Sequence, residues 1–140
     1  MSILKFLVCL LCLFSFRTVS SDFGSIGVNY GRVANDLPDP PQVVELLQSN
    51  GISRVKIFDA NPSIISAFAD TNIKVTIAMP NQLLYAAANI NFTNRWLQAR
   101  IVPFYPRTMT EAIAIGNEVF MDPQNTPYLV PAMKTCLLYC

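Results

Sequence analysis

The sequence predicts an α/β fold in which four β-strands alternate with helices and run parallel. Three observations carry this. Four short apolar runs recur at 25–30, 54–59, 74–79 and 112–116, each of strand length and, apart from the last, rich in Val and Ile. Segments of helical periodicity with readable ends lie between them. No two runs are joined by a tight hairpin turn, so the strands are expected side by side and parallel, with helices packed outside them. A small doubly wound sheet and a piece of a (β/α)8 barrel both satisfy that order.

The first run leads into Asn29-Tyr30-Gly31-Arg32 and then Asn35-Asp36-Leu37-Pro38. It lacks a Gly-rich phosphate loop, which argues against nucleotide binding. The first helix is read from Asp39-Pro40-Pro41, presents Val43, Val44, Leu46 and Leu47, and stops at Asn50-Gly51. That is an N-cap, prolines in the first turn, one apolar face and a glycine stop. The second run ends in Asp59, read as capping the turn that follows. Asn61-Pro62 opens the second helix, with Ile64, Ile65 and Phe68 on one face. After the third run, a helical region opens at Asn81, presents Leu83 and Leu84, and breaks near 89–91. The next helix carries Trp96, Leu97 and Ile101 before Pro103 stops it. A last helix is expected to begin at Val130-Pro131.

A chain of 140 residues suffices for one modest domain with a real core. Its 52% hydrophobic content is inflated by the N-terminus. There Lys5 precedes an apolar stretch at 6–16, and a short polar tail ends in Val19-Ser20-Ser21. This is the order of a secretory signal peptide, with cleavage expected after Ser21, and the apolar stretch is too short for a membrane-crossing helix. Residues 22–140 then form the domain. Removing Lys5 and Arg17 from the ten basic residues leaves eight against nine acidic ones, a balance that suggests neither nucleic acid nor an anionic membrane as partner. Cys136 and Cys140 fit neither a zinc pattern nor a disulfide framework. The chain has no histidine, which excludes histidine catalysis and the commonest zinc sites; no metal or organic cofactor is expected. One sequon, Asn91-Phe92-Thr93, lies in the expected break between helices and makes Asn91 a candidate glycosylation site.

The fourth run ends in Ile115-Gly116-Asn117-Glu118. Ile113 and Ile115 alternate with Ala112, Ala114 and Gly116, so the two faces differ in bulk. In a barrel the isoleucines would face the helices, the small residues the axis, and Glu118 would stand at the C-terminal mouth, where such folds keep their chemistry. The plainer reading is a Glu at a strand-to-helix turn, helping a helix N-terminus. The chemistry suits glycoside hydrolysis, which needs a carboxylic acid to protonate the leaving oxygen; Asn117 beside it could donate to a sugar 2-OH.

Several stretches together resemble plant glycoside hydrolase family 17, the β-1,3-glucanases. They are Ile26-Gly27-Val28-Asn29-Tyr30-Gly31, Val55-Lys56-Ile57-Phe58-Asp59-Ala60-Asn61-Pro62, Val75-Thr76-Ile77-Ala78-Met79-Pro80-Asn81, Ile115-Gly116-Asn117-Glu118-Val119 and Leu129-Val130-Pro131-Ala132-Met133. The resemblance spans about residues 25–133. It implies the N-terminal half of a (β/α)8 TIM barrel, a secreted endo-1,3-β-glucanase with a retaining mechanism, β-1,3-glucan as partner and Glu118 as acid/base. It also implies that Tyr30 lines the glucan groove. Phe58 stands where many members carry Tyr, which keeps an aromatic face and removes a hydroxyl; ordinary packing at a strand end is the plainer reading of both.

A retaining glycosidase needs a second carboxylate about 5 Å from the acid, which the family carries on strand seven. Glu45 lies on a helix face and Glu111 just before strand four, neither placed for that role. The chain as given is therefore expected to hydrolyse no glucan alone, and a non-catalytic secreted glucan-binding or truncated fragment is the alternative.

Overall fold

The computed structural model describes residues 26–138; the expected signal peptide at 1–21 and Cys140 lie outside them. Four strands, β1 (Ile26–Tyr30), β2 (Ile52–Ile57), β3 (Lys74–Met79) and β4 (Met109–Ile115), form one sheet in the order β1-β2-β3-β4. All three pairings are parallel. The crossovers carry α1 (Pro40–Ser49), α2 (Pro62–Ala67), α3 (Leu84–Ala87), α4 (Ile90–Arg100) and, after β4, α5 (Thr126–Leu137). These are four successive βα units with neighbouring strands adjacent in space, the arrangement that builds a (β/α)8 barrel.

Local signals set most helix ends. Asp39 and Gln42 form a reciprocal capping box at α1, and Gly51, at φ +68°, ends the helix in the left-handed region that glycine adopts without strain. The Asn61 side chain accepts from the Ser63 amide at 3.0 Å, and the Asn89 side chain accepts from the Asn91 amide at 2.9 Å. Because Asn89 is the cap, Asn91 stands in the first turn of α4, exposed, and not in the break between helices. The last helix starts at Thr126, four residues before the expected Val130-Pro131. Pro127 occupies the helix-opening position, and Pro131 is tolerated inside. The Thr126 hydroxyl, 2.7 Å from the Val119 carbonyl, anchors this earlier start.

The pleat divides the sheet into two unlike faces. Val55, Ile57, Val75, Ile77 and Met79 are buried against Ile65, Phe68, Leu84, Leu97 and Ala132 from the helices. Ile113 and Ile115 also pack on this core, as their alternation predicts. The opposite face carries Asn29, Arg54, Lys56 and Thr76, with Asn29 opposite Lys56 and Lys56 opposite Thr76. Two strands run longer than their apolar cores suggest. β2 begins at Ile52, and β4 begins at Met109 because it continues its ladder down to Lys74. The register jumps from Val75–Thr110 to Thr76–Ala112, so Glu111 is the extra residue of a bulge within β4. It meets Arg54 at 3.1 Å across the inner face.

A small polar knot fastens the helical layer. The hydroxyls of Thr93 and Thr135 lie 2.9 and 2.6 Å from the Ala87 carbonyl, joining α4 and α5 to the end of α3. Thr93 is fully buried. Thr108, equally buried, donates to the Ile65 carbonyl at 2.8 Å and holds the start of β4 against α2. Each hydroxyl is thereby satisfied where an orphan would cost about 1–3 kcal/mol.

Truncating the fully buried Ile77 to alanine is expected to lower the unfolding free energy by about 3 kcal/mol. Leu46→Ala, on the exposed side of α1, should cost under about 0.5 kcal/mol. Urea unfolding followed by circular dichroism measures both, and equal losses would contradict this division of the layers.

Candidate active site

The C-terminal ends of the strands converge on the turn after β4. The Gly116 amide continues the ladder by donating to the Met79 carbonyl at 2.9 Å. The chain then bends through two left-handed residues, Gly116 at φ +73° and Glu118 at φ 48°, ψ 36°. Only glycine fits at 116. A Cβ there would lie 2.3 Å from Val119 Cγ2 and 3.0 Å from Asn81 Oδ1. Glu118 adopts this region at a cost of about 1–3 kcal/mol, so the surroundings must impose it.

Asn81, two residues beyond β3, supplies that constraint. Its Oδ1 accepts from the Asn117 amide at 2.7 Å, and its Nδ2 donates to the Asn117 carbonyl at 2.9 Å. One side chain thus grips both polar groups of the residue between the two left-handed positions. Below the turn, Val119 is buried, and the Met121 amide donates to the Glu118 carbonyl at 2.9 Å. Asp122 then accepts from the Gln124 amide and the Asn125 side chain, at 3.2 and 2.7 Å. Its carboxyl is held below the usual range, chiefly by the Asn125 amide, with Asn81 contributing.

Glu118 is exposed at the mouth. Next to it, the Asn117 side-chain oxygen accepts from Lys56 Nζ at 3.1 Å. The same ammonium lies 4.8 Å from the centroid of the Phe58 ring, within the range of a cation–π contact. Phe58 follows β2 directly and is 38% exposed. Lys56 therefore brings Asn117 and Phe58, drawn from different strands, into one cluster beside Glu118. Further down, an open cavity of about 210 Å³ is lined by Gly27, Asn29, Arg54, Lys56 and Thr76.

Tyr30 pairs in register with Ile57 and packs half-buried against the core. Pleat parity puts Val28 and Tyr30 on the helix side, so Tyr30 does not join the inner face with Asn29. Of the remaining expectations, that for Asp59 needs correction. Asp59 does not cap the turn after β2. It forms an ion pair with Arg32 from the loop after β1, and Asn61 does the capping. Asn81 and Lys56 were not among the sequence candidates. Asn81 read only as a helix opener, and Lys56 was one polar residue in a strand whose alternation alone marks it as inward-facing. Among the described residues there is no cluster of three or more metal-ligating side chains.

Residues 26–137 match the family described as Glycosyl hydrolases family 17. Among curated proteins, glucan endo-1,3-beta-glucosidase 7 of Arabidopsis thaliana is 40% identical over 112 residues, which are 78% of this chain and 22% of that protein. Glucan endo-1,3-beta-glucosidase 12 of the same plant is 43% identical over 111 residues, 78% of this chain and 21% of that protein. Among solved structures, a beta-1,3-glucanase and allergen of Cryptomeria japonica pollen superposes with a TM-score of 0.78 at 39% identity, covering 82% of this chain and 37% of that one. A plant beta-glucan endohydrolase superposes with a TM-score of 0.74 at 35% identity, covering 79% of this chain and 36% of that one. The chain thus spans about a fifth of the length of these curated relatives.

The geometry of the turn makes Gly116 its most sensitive position. Gly116→Ala is expected to destabilise the protein by about 2 kcal/mol. Gly31→Ala, where an added Cβ meets nothing within 4 Å, should change stability by less than about 0.5 kcal/mol. Thermal melts of the two variants would separate them, and a neutral Gly116→Ala would contradict the packing described.

Proposed function

Because this chain belongs to glycosyl hydrolases family 17, we propose that it carries the acid/base half of a retaining endo-1,3-β-glucanase site, with Glu118 as the acid/base. The observation that carries this reading is the strained turn at the mouth. An exposed carboxylate sits at a left-handed, non-glycine position that Asn81 and Val119 enforce. Strain of that kind persists where a side chain has to be aimed. The names of the relatives supply the substrate class.

In this reading Glu118 protonates the glycosidic oxygen as the bond to the anomeric carbon breaks. It then takes a proton from the water that releases the glycosyl group. Asn117 donates to a sugar hydroxyl, and the exposed face of Phe58 stacks on a ring; Tyr30 supports this wall from the core side. No metal or organic cofactor has a part.

The nucleophile must be a second carboxylate about 5 Å from the first. Of the other described glutamates, Glu45 lies on α1 and Glu111 pairs with Arg54, and Asp59 is held by Arg32. The purified chain is accordingly expected to release no reducing ends from laminarin. Because none of Glu45, Glu111 and Asp59 is free for that role among the described residues, we also propose an alternative, a secreted glucan-binding fragment without turnover, which would bind laminaripentaose. The enzymatic reading is tested by grafting residues 26–137 into glucan endo-1,3-beta-glucosidase 7 in place of its own counterpart. Glu118→Gln should then lower kcat by about 10²–10⁴-fold, and an unchanged kcat would remove Glu118 from the role.

The N-terminal segment supports secretion to the cell-wall space. Among the described residues no helix is long and apolar enough to cross a membrane. Asn91 is exposed and is proposed to carry an N-glycan. Peptide mass spectrometry of plant-expressed protein should find it, and an unmodified Asn91 would end that proposal.

A further inference from the structure

Lys56 has no assigned part in the site, yet its ammonium meets two of the proposed substrate-facing groups. It donates to Asn117 Oδ1 at 3.1 Å and lies 4.8 Å from the centre of the Phe58 ring. Its neighbour on the same face, Arg54, pairs with the Glu111 carboxylate. Lys56 is instead joined to a neutral amide and an aromatic face. On β3 and β4 the same face carries Thr76, Ala78, Ala112 and Ala114.

An ammonium carries only donors, so the atom of Asn117 that faces it must be the carbonyl oxygen. The amide is planar, with its NH₂ opposite that oxygen. Asn81 already fixes the Asn117 backbone on both sides, so side-chain rotation is the freedom that remains. Turning the amide over would set NH₂ against the ammonium, donor to donor, and offer a sugar an acceptor in place of a donor. Among the described residues, none accepts a hydrogen bond from the Asn117 NH₂ in the contacts of this turn.

We propose that Lys56 is a positioning residue for glucan. It holds the Asn117 amide with its oxygen inward, so that the NH₂ is presented to a sugar hydroxyl at the mouth beside Phe58. The proposal rests on the glucanase reading above for its ligand, but the amide orientation itself needs no ligand.

The test uses the isotope-labelled chain and laminaripentaose. In the ligand-free protein, Lys56→Met should move the Asn117 side-chain amide resonances and its Cγ, and Lys56→Arg should largely restore them. Lys56→Ala serves if the backbone spectrum shows that Lys56→Met has not folded. With laminaripentaose, Lys56→Met should weaken binding about fivefold, the scale of one hydrogen bond. Asn117→Ala should weaken it similarly, and the double variant should be no weaker than Asn117→Ala by more than about twofold. Additive losses would mean that Lys56 acts on the sugar by another route and would overturn the proposal. So would an Asn117 amide that does not move in the ligand-free variant. If the amide moves as described but the wild-type chain does not bind laminaripentaose, the glucan reading falls and the orienting role of Lys56 stands.

Discussion

A parallel sheet with helices on one side has one dry face, and the rest of this structure follows from that constraint. The pleat sends alternate residues to opposite faces, so burying Val55, Ile57, Val75, Ile77 and Met79 under the helices commits Arg54, Lys56 and Thr76 to the other side. Residues that would be costly in the core thereby acquire a shared surface. Arg54 finds Glu111 there, and Lys56 finds Asn117. Hydrophobic sorting on one face assembles polar chemistry on the other, with no separate force needed to gather it.

The bulge at Glu111 and the turn at Gly116 are two departures from regular pairing, and each re-aims a carboxylate. In an unbroken ladder Glu111 would share parity with Ile113 and Ile115, toward the core. The extra residue lets it turn inward to Arg54 instead. At the top of the same strand, two left-handed residues swing Glu118 out to the mouth. The Asn81 clamp and the close packing of Val119 make that bend a fixed shape. The stability lost to an unfavourable backbone conformation is offset by buried contacts around it, an exchange common at sites where a side chain must be aimed.

Most of the architecture could be read from the sequence, because its signals are local. Asp39-Pro40-Pro41 and Asn61-Pro62 each mark a helix start through hydrogen bonds spanning two or three residues. The alternation of Ile and Ala on β4 likewise foretold which face meets the helices. What escaped was set by partners distant in the chain. β4 begins at Met109 because β3 offers a ladder down to Lys74. Asp59 answers to Arg32, 27 residues earlier, and Asn81 holds Asn117 from 36 residues away. The opening of α5 was misread for another reason: of two prolines four residues apart, either could start a helix, and the tertiary anchor at Thr126 selects the first. At the site itself, Glu118, Asn117 and Phe58 were legible as strand-end residues. Tyr30 was named from the family resemblance, and pleat parity sets it on the helix side of its strand end.

The buried Thr93 has a consequence for the order of events in this protein's synthesis. Its hydroxyl belongs to the sequon that begins at Asn91, yet in the finished fold it lies against the Ala87 carbonyl beneath α5. An enzyme that must engage Asn91 and Thr93 together can do so only while α4 is still open. Were Asn91 glycosylated as proposed, the glycan would have to be added before α5 settles over Thr93, while the chain is still nascent.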